Sequence, residues 1–163
     1  MNHPSSSASR PDSSSLPLEL RLAEDEKSLR ILLAEDNHEL RRLLTFVLRR
    51  EGHEVVEVTD GSALLEALAF SIVEGGRHEF DLVICEQGLP KMAGLAVLSG
   101  LRARDRATPF ILITSNITVQ VQARNLGAIV LSRPLTMDGI RRAVRLTEDE
   151  QREGEQRLAR ALP

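Results

Sequence analysis

From Leu29 onward, two hydrophobic patterns alternate along the chain. Short continuous apolar runs such as Ile31–Ala34 have the length of a buried strand. Longer stretches such as Leu40–Leu48 place apolar residues three or four positions apart, which is the spacing of a helix with one buried face. The pattern predicts five strands, each followed by a helix.

The predicted strands are Ile31–Ala34, Val55–Val58, Phe80–Cys85, Phe110–Thr114 and Ile129–Leu131. The predicted helices are Leu40–Leu48, Leu64–Ile72, Leu95–Leu101, Ile117–Leu126 and Met137–Leu146. Strands this continuously apolar are typical of a parallel sheet that is covered on both faces. Right-handed crossovers then favour a doubly wound α/β sheet, although the pattern by itself leaves the strand order open.

The composition divides the chain into three parts. Residues 1–28 are rich in Ser and Pro and are predicted to form a disordered arm, because they offer too little apolar area to offset ordering entropy. Residues 29–146 are predicted to form a single domain. Residues 147–163 are a polar tail in which Glu148 with Arg152, and Glu153 with Arg157, are spaced i, i+4. This spacing is compatible with a continued helix or with a frayed tail.

Composition and charge exclude several classes of function. Aromatic residues make up 2% of the chain, with no Trp or Tyr, so it lacks platforms for stacking single-stranded bases. Acidic and basic residues are interspersed at a net charge of -3, which gives no basic footprint for nucleic acid or anionic lipid. No apolar run approaches the ~18 residues that span a bilayer, and no secretory signal is recognisable. We therefore expect a cytoplasmic protein without nucleic-acid or membrane partners.

Polar side chains gather where the predicted strands end. Glu35 and Asp36 follow the first strand, Glu86 follows the third, Thr114 ends the fourth, and Arg133 lies just beyond the fifth. In an open α/β sheet, these carboxyl ends border one crevice. Three carboxylates in one crevice repel each other unless a cation compensates them. Arg133 supplies one positive charge and Mg²⁺ would supply two, so Mg²⁺ is a candidate cofactor.

Two stretches carry a family resemblance. Residues 81–95 read DLVICEQGLPKMAGL, and residues 31–37 read ILLAEDN. Both resemble bacterial response-regulator receiver domains of two-component signalling, in the third strand with its loop and in the first strand with its acidic pair. Thr114 and Arg133–Pro134 match the family's hydroxyl residue and its Lys-Pro. The resemblance spans Leu29 to about Val144 and implies a flavodoxin-like sheet of order 2-1-3-4-5.

The resemblance also implies roles for individual residues. Glu86 stands where the family has the aspartate that accepts a phosphoryl group. Glu35 and Asp36 match the acidic pair that holds Mg²⁺, and Asp36, Glu86 and the Gly88 carbonyl match its three protein ligands. Thr114 matches the residue that hydrogen-bonds the phosphoryl group. The peptide bond equivalent to Arg133–Pro134 is usually cis in the family.

Three departures from the family pattern carry the functional argument. Glu86 places its carboxylate one methylene further out than aspartate would, which works against in-line phosphoryl transfer. Arg133 replaces a lysine, and its planar fork suits a carboxylate, so we predict a Glu86–Arg133 ion pair. Val130 stands where the family usually has a Tyr or Phe that reports activation, and valine has no comparable movement.

We therefore interpret the chain as an atypical receiver, or pseudo-receiver, that signals through phosphorylation-independent protein–protein interaction and is not an enzyme. The expected partner surface, by analogy with the family, is the face of helix 4, strand 5 and helix 5. Its expected contributors are Val119, Val121 or Gln122, Ile129, Arg141, Arg142 and Arg145.

Two alternatives remain open from the sequence. One is a single-domain response regulator that is still switched by phosphorylation or Mg²⁺. The other is a phosphatase-like enzyme, although the required Asp-x-Asp is absent from Glu35–Asn37. His38, His53 and His78 lack metal-ligand spacing and are expected at the surface.

Overall fold

The computed structural model describes residues 28–73, 79–104 and 108–161, except for the side chains of residues 70–73. Apart from Ser28, the predicted N-terminal arm lies outside these residues, as does His78. The strands are β1 (Arg30–Ala34), β2 (Glu54–Val58), β3 (Leu82–Glu86), β4 (Phe110–Ile113) and β5 (Ile129–Leu131). The helices are α1 (His38–Arg50), α2 (Gly61–Val73), α3 (Gly94–Arg102), α4 (Ile117–Asn125) and α5 (Met137–Ala161).

All five strands are parallel and are ordered β2-β1-β3-β4-β5. The predicted α/β fold and the strand order implied by the resemblance are confirmed. Successive residues of a strand point to opposite faces of the sheet. Leu32 and Val83 accordingly pack with residues of α2, α3 and α4 on one face. Ile31 and Leu82 pack with residues of α1 and α5 on the other.

Two asparagines start helices directly after strand ends. The Oδ1 atom of Asn37 accepts a hydrogen bond from Leu40 N at 2.9 Å and begins α1. Asn116 does the same for α4, accepting from Val119 N at 3.2 Å. Such caps satisfy backbone donors that the first helical turn leaves open. They turn the chain sharply and keep the residues before them at the carboxyl edge of the sheet.

Some element bounds differ from those predicted. β3 begins at Leu82 rather than Phe80 and includes Glu86, because the ladder continues through a hydrogen bond from Gln87 N to Ile113 O at 3.0 Å. β4 ends at Ile113, one residue before Thr114.

The apolar spacing of the fifth helix ends at Leu146, and the i, i+4 pairs beyond it are compatible with a continued helix or a frayed tail; in the structure α5 continues to Ala161. Thr147 and Glu148 are buried, and Gln151 Nε2 donates to Asp81 O at 2.9 Å, so the helix is held against the amino end of the sheet. None of the helices in the described ranges is long and apolar enough to cross a membrane.

The expectation that His53 lies at the surface is wrong. Its side chain is buried, and Nδ1 accepts a hydrogen bond from Leu29 N at 3.3 Å. The imidazole thereby satisfies a buried backbone donor at the start of β1, which is a contact between positions 24 residues apart that spacing rules do not capture.

Candidate functional site

Glu86 and Arg133 form an ion pair at the carboxyl edge of the sheet. Glu86 is the last residue of β3, and Arg133 lies two residues beyond β5. Arg133 Nη2 donates to Glu86 Oε2, while Glu86 Oε1 accepts from Gly88 N at 3.3 Å. The Glu86 side chain is 12% exposed and that of Arg133 is 42% exposed. Both oxygens of this carboxylate are therefore already engaged by the protein.

Glu35 lies beneath the same guanidinium. Its side chain is 1% exposed, and Oε1 accepts a hydrogen bond from Asn37 N at 3.0 Å. Its other oxygen, Oε2, lies 3.6 Å from Arg133 Nη2 and has no hydrogen-bond partner. A single cationic group thus faces two carboxylates, one directly after β1 and one at the end of β3.

The pKa values of these groups reflect burial and mutual interaction. Burial is the main cause that raises the pKa of Glu35 above 4.5, and the neighbouring Glu86 and Asp36 charges raise it further. The hydrogen bond from Asn37 and the Arg133 charge act in the opposite direction. The hydrogen bond to Glu86 is the largest cause that raises the pKa of Arg133 above its ordinary value. The arginine is therefore permanently charged, whereas burial disfavours the charged form of Glu35.

The remaining predicted site residues lie around this cluster. The Asp36 side chain is exposed. Thr114 is buried, and its Oγ1 accepts a hydrogen bond from Asn116 N at 3.2 Å. Val130 is half-buried and packs against the core on the α2–α4 face of the sheet. The Arg133–Pro134 peptide bond is cis. The structure thus brings Glu35, Glu86 and Arg133 together, while Thr114 is engaged by its own loop.

The arrangement does not fit a magnesium ion. Within the residues described, no group of three or more His, Cys, Asp or Glu side chains is placed to hold a metal. Magnesium requires near-octahedral oxygen ligands at about 2.0–2.1 Å. Here the Arg133 guanidinium contacts both Glu35 and Glu86, and Gly88 directs its N–H at Glu86. In this arrangement the two carboxylates are compensated by arginine.

Gln120 is a contributor that the sequence pattern does not reveal. From α4, its Nε2 donates to Thr114 O at 3.0 Å and to Ser132 Oγ at 2.9 Å. One amide therefore ties α4 to the ends of both β4 and β5. A glutamine in a polar helix carries no sequence signal for such a role, because the two acceptors lie 6 and 12 residues away along the chain.

The loop after Glu86 is held by the close packing of Gly94 and by an ion pair of Lys91. A Cβ on Gly94 would lie 2.8 Å from both Cys85 Sγ and Glu86 O, so only glycine lets α3 start this close to β3. Lys91, which has a φ of 65°, places its Nζ 2.8 Å from Asp60 Oδ2 at the start of α2. That hydrogen bond is the first cause that lowers the pKa of Asp60. These contacts position the peptide that supplies Gly88.

The residues of the expected partner surface differ in exposure. Val119 and Ile129 are half-buried and pack against the two cores. Arg141 is engaged by Glu51 at 2.5 Å and by Asp138 at 3.3 Å. The other expected contributors, Val121, Gln122, Arg142 and Arg145, are exposed. Ile117 on α4, which is 76% exposed, adds an apolar residue to this surface.

Residues 31–145 match the family described as the response regulator receiver domain. The chain belongs to the response regulator receiver family. As a receiver, it is 36% identical over 120 residues to the response regulator protein PmrA of Pseudomonas aeruginosa, a match that covers 72% of this chain and 51% of that protein. It is 33% identical over 124 residues to the sensor histidine kinase AruS of the same species, covering 72% of this chain and 12% of the kinase. The receiver thus spans about half or less of these relatives.

Solved receiver domains share the fold. The signal receiver domain of an HD domain-containing protein from Pseudomonas fluorescens superimposes with a TM-score of 0.65 at 26% identity, covering 78% of this chain and 92% of that one. The non-phosphorylated HemR receiver domain from Leptospira biflexa superimposes with a TM-score of 0.64 at 21% identity, covering 75% and 94%. Each superposition covers nearly the whole of the solved receiver domain. The described part of this chain therefore corresponds to one receiver domain.

Proposed function

We propose that this receiver is an atypical one that acts in signal transduction by binding a protein partner independently of phosphorylation, without catalytic activity of its own. The observation that carries the proposal is the ion pair between Arg133 and Glu86. Glu86 stands at the position that the family resemblance assigns to the phosphoacceptor. A carboxylate that already accepts from Arg133 and Gly88 is poorly available as a nucleophile.

Two further features support the proposal. The extra methylene of Glu86 displaces the oxygen that would attack the phosphoryl donor. A displacement of about 1 Å strongly lowers the rate of phosphoryl transfer, because the reacting atoms must be aligned. Position 130 is a valine that packs against the core. It therefore lacks the aromatic side chain that, by the family resemblance, would move between buried and exposed positions. The surface that we propose for the partner is the helix 4–strand 5–helix 5 face, here the exposed residues of α4 and α5.

A second candidate function is a response regulator that is still switched by phosphorylation. It is favoured by the presence of Glu35, Asp36 and Thr114 at the carboxyl edge of the sheet, and by a Glu35 Oε2 atom that lacks a hydrogen-bond partner. The two candidates differ in whether Glu86 accepts a phosphoryl group.

Labelling by a small phosphodonor distinguishes them. The wild type, Glu86→Asp, Arg133→Lys and the double variant are incubated with acetyl phosphate and Mg²⁺, and the phosphorylated fraction is measured by intact-mass spectrometry. We expect no label on the wild type and label on the double variant, in which both departures are reversed. Label on the wild type that disappears in Glu86→Gln would refute the proposal and establish the second candidate.

A further inference from the structure

A pocket of about 410 Å³ opens between α1 and the edge strand β2, and we call it the α1–β2 pocket. Because β2 and β5 are the two outer strands of the sheet, it lies at the opposite edge from β5. The α1 residues that line the pocket are spaced three or four positions apart, so they form one face of the helix. The lining consists of Arg42, Thr45, Phe46, Arg49 and Arg50 from α1 and Glu57 from β2.

The α1–β2 pocket carries more positive than negative charge, since three arginines and one glutamate line it. Glu57 is already engaged, because Arg41 Nε lies 3.3 Å and Arg49 Nη2 lies 3.9 Å from its carboxylate oxygens. Arg49 Nη2 also donates to a backbone carbonyl of β2 at 3.0 Å, which holds this guanidinium at the pocket wall. Arg42 and Arg50 are exposed and form no ion pair with the part of the chain that the structure describes, so their charges are uncompensated.

An exposed aromatic ring lies among these arginines. Phe46 is 58% exposed, whereas Phe80 and Phe110, the other phenylalanines whose side chains the structure describes, are buried. The guanidinium carbon of Arg50 lies 5.8 Å from the centre of the Phe46 ring, which is within the range of a cation–π contact. The pocket therefore combines cationic groups with an apolar ring that a second planar group can cover.

Thr45 adds a buried hydroxyl to the wall of the pocket. The residue is 6% exposed, and its Oγ1 atom has no hydrogen-bond partner among the described residues. A buried polar atom without a partner destabilises the fold, so such atoms are rare in folded proteins. Thr45 lies one helical turn from both Arg42 and Arg49. An anion held by these two guanidiniums would supply the acceptor that the hydroxyl lacks.

We propose that the α1–β2 pocket binds a nucleotide, with its phosphates on Arg42, Arg49 and Arg50 and its base on the Phe46 ring. Guanidinium groups present paired N–H donors that match phosphate oxygens, and a base stacks on an aromatic ring through its flat face. The volume falls within the roughly 300–1,000 Å³ of small-molecule sites. One ring serves one base, so the pocket suits a single nucleotide and not a nucleic-acid strand.

Isothermal titration calorimetry of the full chain with ATP tests the proposal. EDTA is present, so that no metal ion at Glu35 and Glu86 contributes to the signal. We expect a dissociation constant of about 10–100 µM in 50 mM NaCl, which rises about tenfold in 300 mM NaCl because exposed charges are screened. Adenosine lacks the phosphates and tripolyphosphate lacks the base, so each should bind at least about fivefold more weakly than ATP.

Four variants separate the parts of the pocket, and circular dichroism checks that each is folded. Arg42→Gln and Arg50→Gln should each weaken ATP binding about five- to tenfold, because a charged donor is lost. Phe46→Leu should weaken ATP binding about fivefold and leave tripolyphosphate binding unchanged. Thr45→Val should weaken ATP binding about two- to fivefold without lowering the melting temperature of the free protein, since Oγ1 has no partner to lose. Arg145→Gln, at an exposed position of α5, is the matched control and should bind ATP like the wild type.

Three results would overturn the proposal. The first is an ATP dissociation constant above about 1 mM for the wild type in low salt. The second is a loss of affinity in Arg145→Gln as large as that in Arg42→Gln, which would indicate diffuse attraction to surface charge. The third is tripolyphosphate binding as tight as that of ATP, which would exclude a role for the base. Phosphodonor labelling at Glu86 reports separately on the proposed function, so the two ideas can fail independently.

Discussion

Arg133 Nη2 lies between two carboxylates, bonded to Glu86 at the end of β3 and 3.6 Å from Glu35 at the end of β1. The three residues come from three separate parts of the chain and meet only because their strands end at the same edge of the sheet. This arrangement supplies one positive charge for two negative ones. The cluster therefore depends on the arginine for its stability.

Replacement of Arg133 by methionine should destabilise the fold. The change keeps most of the aliphatic stem and leaves Glu35 and Glu86 without their cation. Because Arg133 is 42% exposed and Glu86 only 12%, the loss should lie between that of a surface pair and a buried one, about 1–2 kcal/mol. Urea unfolding at pH 7 measures it, and Arg42→Met, at an exposed position of α1, serves as the control.

A double-mutant cycle separates this pair from its surroundings. Adding Glu86→Gln to Arg133→Met should recover part of the lost free energy of unfolding, because the uncompensated carboxylate is removed. The coupling should amount to at least about 0.5 kcal/mol. Strictly additive effects would show that the ion pair contributes nothing beyond its separate groups.

Glu35→Gln should stabilise the protein increasingly as pH rises. Because burial raises the pKa of Glu35 in the folded state above 4.5, the folded protein binds this proton more tightly than the unfolded chain does. The contribution of protonated Glu35 to the free energy of unfolding is fully present below about pH 4.5. It is lost as the pH rises through the pKa of Glu35 in the folded state. A tenfold difference in proton affinity between the folded and unfolded states corresponds to about 1.4 kcal/mol. The free energy of unfolding of Glu35→Gln should therefore exceed that of the wild type by an amount that grows as the pH rises above about 4.5.

Unfolding of Glu35→Gln and wild type at several pH values from about 4 to 8 measures this difference. Glu66→Gln, at an exposed position of α2, should show no such trend. In an Arg133→Met background the gain should be larger, since the Arg133 charge lowers the pKa of Glu35. A difference that shrinks with rising pH would mean that the ionised form is the favoured one in the folded protein.

Two glycines of α3 should respond oppositely to alanine. Gly94→Ala would place Cβ 2.8 Å from Cys85 Sγ and Glu86 O, so α3 must shift, at about 1–3 kcal/mol. Gly100→Ala has nothing within 4 Å of its Cβ and should stabilise the helix by about 0.5–1 kcal/mol. Thermal unfolding of both variants checks the contrast, and equal melting temperatures would contradict the packing described for Gly94.

Gln120→Met should loosen α4. The change removes the amide that bridges Thr114 O and Ser132 Oγ, which should cost about 0.5–1.5 kcal/mol. Hydrogen exchange of the α4 amides should accelerate, whereas Gln122→Met, at an exposed position of the same helix, should leave it unchanged. Equal exchange in the two variants would show that the Gln120 bridge does not hold the helix.

The alternation of apolar runs and helical spacing is enough to predict five strands, five helices and a parallel α/β sheet, because burial on one or both faces imposes a periodicity on local sequence. The same reasoning places Glu35, Glu86, Thr114 and Arg133 at the carboxyl edge, since parallel strands all end there. The strand order comes from the family resemblance, because periodicity carries no information on which strands are neighbours.

The tertiary structure alone determines which residues that are distant in the sequence come into contact. The sequence predicts the pairing of Arg133 with Glu86, 47 residues away, but only the folded geometry places the same guanidinium against Glu35 as well. The burial of His53 and the bridge made by Gln120 do not follow from the sequence pattern, and the contact of Gln151 with Asp81 O does not follow from it either. Each depends on a partner brought near by the fold, and local propensity does not encode where that partner will lie.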